Sequence, residues 1–111
     1  MLARVLIALV ALIHVYILVL EMFLWRTRAR RIFGMSEQQA EATAVLAKNQ
    51  GLYNGFLAAG LIWSLATSLD RAAFFLICIA MAGIYGAITA NRRIVFVQTI
   101  PAAAGLAALW I

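Results

Sequence analysis

Acidic side chains are scarce in this chain: Asp and Glu fill four of 111 positions, and all charged residues together make up only 12%. Soluble domains carry about 25% charge, so a globule with a solvated charged coat is excluded. Cysteine occurs once, at Cys78 inside an apolar run. No intrachain disulfide can form, and the thiol reads as a small packing group. Histidine also occurs once, at His14. His14 and Cys78 cannot supply the three or four converging ligands of a zinc site, and haem would hang on His14 alone. No metal and no cofactor are expected. The chain also lacks a glycine-rich phosphate loop, a serine or cysteine next to a base, and a zinc-protease helix motif. No catalytic residue is assigned, and an enzyme is not expected.

What is there is mostly hydrocarbon. Hydrophobic residues make up 67% of the sequence and the mean hydropathy is +1.01. Four apolar stretches, 2–25, 52–69, 72–90 and 94–111, each approach the 17 to 25 residues that cross a hydrocarbon core of ~30 Å. Without strand alternation, such runs satisfy their backbone in lipid as helices. The expected fold is all-α: one integral membrane domain over 1–111, a four-transmembrane-helix antiparallel bundle with a short cytoplasmic amphipathic helix in the first connection. The first stretch resembles a signal peptide at its start, but it runs on to Trp25 with no small-residue cleavage site, which suits a retained helix.

The net charge of +5 does not point to nucleic acid, because the basic residues gather in the turns and no aromatic-interleaved basic groove exists. Arg26, Arg28, Arg30, Arg31, Lys48, Arg92 and Arg93 fall in or beside the first and third connections, against Arg4 and Arg71 on the other side. That bias places the first and third connections in the cytoplasm and both termini outside, in a multi-pass inner-membrane protein. Trp25 and Trp110 then serve as interfacial anchors.

Within the first connection, Phe33-Gly34 reads as a turn, and Ser36 with Gln39 as a capping box starting a helix near Glu37. No breaker follows until Gly51. A helix from Glu37 to Leu69 would be ~50 Å long, well beyond the bilayer core. Its first part projects into the cytoplasm or bends along the surface, with Gly51 and Gly55 marking either a bend or a close helix contact. Asp70-Arg71 and Asn91-Arg92-Arg93 are tight turns, so neighbouring spans pack antiparallel. Pro101 bends the last span and frees the carbonyl of Val97.

Four polar side chains, His14, Glu21, Asn54 and Gln98, interrupt the spans. On the expected topology the inner half of the bilayer holds Glu21, Gln50, Tyr53, Asn54, Tyr85 and Gln98, with His14 near mid-depth. Intramembrane polar groups generally face a protein interior or a cavity. The candidate ligand-binding set is therefore His14, Glu21, Gln50, Tyr53, Asn54, Tyr85 and Gln98, lining a pocket open to the cytoplasm. The competing reading is interhelical hydrogen bonding, with Gly51, Gly55, Gly83 and Gly86 admitting close backbones. Glu21 has a third option, pairing with Arg26 or Arg28.

The runs His14 to Trp25 (HVYILVLEMFLW), Leu46 to Trp63 (LAKNQGLYNGFLAAGLIW), Ala82 to Ala87 (AGIYGA) and Gln98 to Ala102 (QTIPA) resemble a small bacterial membrane family known as domain of unknown function 1304. The resemblance covers essentially the whole chain. It implies a four-helix inner-membrane protein without an assigned reaction. The positions matching its motifs are His14, Tyr16, Glu21, Trp25, Asn49, Gln50, Gly51, Tyr53, Asn54, Gly55, Tyr85, Gly86 and Gln98.

The expected function is binding, and movement, of a small or amphipathic molecule. Glu21 would be the charge partner, His14 the proton-sensitive group, and Tyr53, Asn54, Tyr85 and Gln98 the orienting groups. Two alternatives stand beside it: a dimeric proton-coupled transporter like the small multidrug-resistance proteins, and a small subunit or chaperone of a larger membrane complex. The partners expected are the bilayer, a small-molecule or lipid ligand, and a second copy of the chain.

Overall fold

A computed structural model describes all residues, 1–111, and contains helices and turns without a strand. Helix α1 spans Leu2–Met22, α2 Arg30–Phe33, α3 Glu37–Ala66, α4 Ala72–Thr89 and α5 Ile100–Ala108. Wide, π-type turns precede α2 (Trp25–Ala29) and α5 (Val95–Thr99), and a tight 3-10 turn, Leu69–Arg71, joins α3 to α4. The helices form two compact units, one of Met1–Ile13 with Leu57–Ile111 and the other of His14–Phe56.

The first unit is held by aliphatic packing. Ile7, Leu61, Leu76, Ile79 and Ala102 are fully buried, with Val10 and Ala11 nearly so. On α1 the buried positions 3, 7, 10 and 11 recur at three- and four-residue steps, which selects one face of a helix. Small residues bring backbones together where helices cross: Gly60 lies under the ring of Phe75, and Gly105 lies against Leu76. Gly83 admits Thr99, whose hydroxyl donates to the carbonyl of Ala80 at 3.1 Å. Pro101 falls in the first turn of α5, directly after the Val95–Thr99 turn. The expected disturbance is thus expressed as a widened turn ahead of the proline, which cannot donate to Val97.

In the second unit α1 ends three residues earlier than the apolar run does. The amides of Phe23 and Leu24 both donate to Val19 O, at 3.0 and 3.1 Å, and Leu24 leaves helical geometry at φ −121°. Trp25 therefore lies beyond the helix, and its indole donates to Thr43 Oγ1 at 3.0 Å. Chain reversal follows at Gly34, with φ +65°. Met35 N–H reaches Arg30 O at 3.0 Å, closing the left-handed cap that favours glycine. The capping box forms as expected: Ser36 N–H donates to Gln39 Oε1 at 2.9 Å, and Gln39 N–H to Ser36 Oγ at 3.1 Å.

From there α3 runs unbroken for 30 residues, ~45 Å at 1.5 Å per residue. The helix continues through Gly51 and Gly55, which mark close helix contact. Gly51 sits against Leu18, Glu21 and Met22, and Gly55 against Leu18. Ala40, Ala44, Ala47 and Gly51 are buried along one stripe, four or three residues apart.

Two helical segments, Leu2–Met22 and Leu69–Thr89, are long and apolar enough to cross a membrane, whereas Val95–Ala108 is a shorter apolar helix. Within the most apolar 18 residues of each longer segment, only 28% and 22% are buried. Leu12, Phe74, Met81, Ile88 and Phe96 are among the large apolar side chains left exposed.

Candidate functional site

Two polar side chains of the candidate set meet directly. Glu21, the penultimate residue of α1, and Asn54, in the middle of α3, are both half-buried. The amide of Asn54 donates to Glu21 Oε1 at 2.6 Å. Their meeting follows from the glycines on either side of Asn54. A methyl group at Gly51 would lie 3.2 Å from Glu21 Cβ and 3.3 Å from Leu18 O, and one at Gly55 would lie 2.6 Å from Leu18 Cδ1. Without side chains at 51 and 55, the helices approach closely enough for a short amide to span the gap.

No basic group answers the carboxylate. Arg26, a candidate partner on sequence grounds, binds Glu41 instead: its Nε donates to Oε2 at 2.6 Å and its Nη2 to Oε1 at 3.1 Å. Arg28, the other candidate, lies over the ring of Tyr16, 5.8 Å from its centroid. The Arg26 hydrogen bond, and then its charge, holds the Glu41 carboxyl below its ordinary value of 4.5. Glu21 keeps one oxygen bonded to a neutral amide and the other without a hydrogen-bond partner.

His14 is fully buried. It lies seven residues before Glu21 on α1, nearly the same helix face but ~10 Å along the axis. Gln50 is exposed and its side chain makes no hydrogen bond. Tyr53 is 61% exposed and meets Phe56 edge-on at 6.1 Å. Those five residues belong to the His14–Phe56 unit, whereas Tyr85 and Gln98 belong to the other. Tyr85 is 71% exposed and its carbonyl accepts from Thr89 Oγ1 at 2.8 Å; Gln98 is half-buried in the wide turn before α5. A half-open cleft of about 430 Å³ in the first unit is lined by Ala3, Leu69, Asp70, Ala73, Ala108, Leu109 and Trp110, and includes none of the seven.

Three contacts around these residues have no local signature. The Trp25–Thr43 bond and the Arg26–Glu41 pair join residues 18 and 15 positions apart, and nothing in the spacing singles out the acceptor. The stacking of Arg28 on Tyr16 is equally non-local, although an arginine cluster beside an aromatic is a signal for such pairing. No group of three or more His, Cys, Asp or Glu side chains converges as a metal site would need.

Comparison with known proteins agrees with the motif pattern. The family model described as protein of unknown function (DUF1304) matches residues 8–110. The uncharacterized protein YpaA of Lactococcus lactis subsp. lactis (strain IL1403) is 36% identical over 96 residues, covering 81% of each chain. No solved structure matches. The matched span holds Glu21, Asn54 and both glycines that let them meet, and the chain belongs to the DUF1304 family.

Proposed function

We propose that the chain is a multi-pass bacterial inner-membrane protein whose Glu21–Asn54 pair binds the cationic part of a small or amphipathic molecule, with proton exchange at the same carboxylate. Membrane placement draws on the two long apolar segments and their low burial. A core helix of a soluble protein would be covered on most sides, and exposed apolar surface on this scale suits lipid or a protein partner. In the four-span version, α3 and the segment from Val95 to Ala108 complete the bundle. Their apolar portions, Leu52–Ala66 and Val95–Ala108, rise only ~21 to 22 Å, so flanking residues or local thinning of the bilayer make up the difference. The excess of arginine in the first and third connections sets those connections in the cytoplasm.

One observation carries the binding reading: a carboxylate in a membrane-length helix whose hydrogen-bond partner is a neutral amide. An intramembrane charge without a countercharge is costly, and a bound cation or proton removes that cost. Asn54 fixes the carboxylate orientation and leaves one oxygen for the ligand. His14, in the same unit, serves as a second proton-exchanging group at greater depth.

Tetraphenylphosphonium, a lipophilic cation, is the probe. Purified protein in detergent should bind it and release protons into weak buffer as it does so. Glu21→Gln should abolish both and Asn54→Ala should weaken both, with helicity retained. If Glu21→Gln and His14→Ala leave binding and proton release unchanged, the site reading fails.

A further inference from the structure

The segment that follows α1 carries four arginines in six positions, Arg26, Arg28, Arg30 and Arg31, and only Arg26 meets a carboxylate. Arg28 turns back onto the Tyr16 ring. Arg31 is exposed with no side-chain partner. The Nε of Arg30 is buried and has no hydrogen-bond acceptor, an arrangement a folded protein rarely leaves unanswered. None of these three guanidinium groups is thus neutralised by a carboxylate, and they lie on a segment pinned by Trp25 to Thr43 and closed by Gly34.

Exposed apolar side chains flank these charges on both sides. Phe23 is 71% exposed, Ile32 52% and Phe33 57%. Phe33 packs against Trp25, the rings tilted at 45° with centroids 5.9 Å apart. A soluble anion would have no use for that exposed surface. From this pairing of guanidinium donors with exposed aromatic and aliphatic groups, directly after a membrane-length helix, we infer that Arg28, Arg30 and Arg31 form a binding site for an acidic phospholipid. The phosphate accepts from the guanidinium groups, whose planar fork suits phosphate oxygens. The acyl chains lie on Phe23, Ile32 and Phe33. The Arg26–Glu41 pair stands aside from the phosphate and holds the segment to α3.

The inference rests on α1 being a membrane span. Flotation with neutral phosphatidylcholine vesicles tests that premise separately, since an integral protein floats with them whatever becomes of the arginines. The site itself is read by native mass spectrometry of the full chain in detergent, titrated with phosphatidylglycerol, phosphatidylcholine or inorganic phosphate. Phosphatidylglycerol should bind about tenfold more tightly than phosphatidylcholine, and the Arg28→Gln, Arg30→Gln, Arg31→Gln triple variant should lose that preference. Arg31→Gln alone, at an exposed position, should lose part of it with unchanged helicity. Arg92→Gln with Arg93→Gln, which removes two charges elsewhere, should keep it. Equal binding of the two lipids, equal loss in the Arg92/Arg93 variant, or displacement of the lipid by equimolar inorganic phosphate would overturn the assignment.

Discussion

Asn54 and Glu21 are 33 residues apart in sequence and 2.6 Å apart in space, held there by the bare backbones of Gly51 and Gly55 against α1. Substitutions at Glu21 separate clamping from charge. Glu21→Gln keeps an amide oxygen where Asn54 donates, so its stability should stay within about 0.5 kcal/mol of wild type. Glu21→Ala leaves the half-buried Asn54 amide without an acceptor and should cost about 1 kcal/mol. Unfolding in graded detergent mixtures measures both. A Gln variant as unstable as the Ala variant would mean that the charge itself holds the helices together.

How much of this was legible in the sequence depends on the range of the interaction. The capping box at Ser36 and Gln39 and the turn at Gly34 were readable because each is decided by a few consecutive residues. The meeting of Glu21 with Asn54 was foreshadowed by their common depth on oppositely directed apolar runs. The role of Gly51 and Gly55 was not, since a glycine in a helix serves a bend or a contact equally well until its neighbour is known. Met22, Leu18 and Glu21 decide it for contact. Pairing of Arg26 with Glu21 was one of the options open in the sequence, and it is not the one taken. Sequence proximity favours Glu21, whereas the wide turn at Trp25–Ala29 redirects the arginine to Glu41 on α3. Gln50 and Tyr53 were set near the carboxylate by depth and helix spacing, and both side chains are exposed; depth does not fix which way a side chain faces.

The capping box makes its own prediction. Ser36→Ala removes the acceptor of the Gln39 amide and should destabilise the start of α3 by about 1 kcal/mol. Hydrogen exchange should accelerate at the first amides of α3, near Gln38 to Ala40, and remain unchanged around Asn54. Uniform acceleration along α3 would show that the cap sets the stability of the whole helix.

The Arg26–Glu41 pair predicts a pH dependence. The folded state holds the Glu41 carboxyl below 4.5, through the hydrogen bond from Arg26 and then its charge. Its stabilisation is therefore complete above the ordinary value and disappears as the pH falls through the lowered one. Arg26→Gln should flatten that acid limb, and added salt should do the same in wild type, because the pair is exposed and screened. Melting temperatures recorded from neutral pH to well below 4.5 test this. An identical acid limb in Arg26→Gln would assign it to other carboxylates.

The glycines predict a graded series, because what each added methyl would strike differs in how far it can yield. At Gly83 the obstacle includes Thr99 N, 2.9 Å away and part of the backbone, and Thr99 is itself tied to Ala80 O. Gly83→Ala should therefore cost about 2 to 3 kcal/mol, near the upper end for overpacking. At Gly55 the nearest atom is Leu18 Cδ1 at 2.6 Å, the end of a side chain that can rotate, so Gly55→Ala should cost about 1 kcal/mol. At Gly86 the nearest atoms are Ile94 methyls at 3.3 and 3.4 Å. A small adjustment there is offset by the gain of about 0.5 to 1 kcal/mol when alanine replaces glycine inside a helix, so Gly86→Ala should be close to neutral. Detergent unfolding of the three variants should rank them in that order. A Gly86→Ala variant as damaged as Gly83→Ala would mean that α4 and the Val95–Thr99 turn pack more rigidly than their side-chain contacts imply.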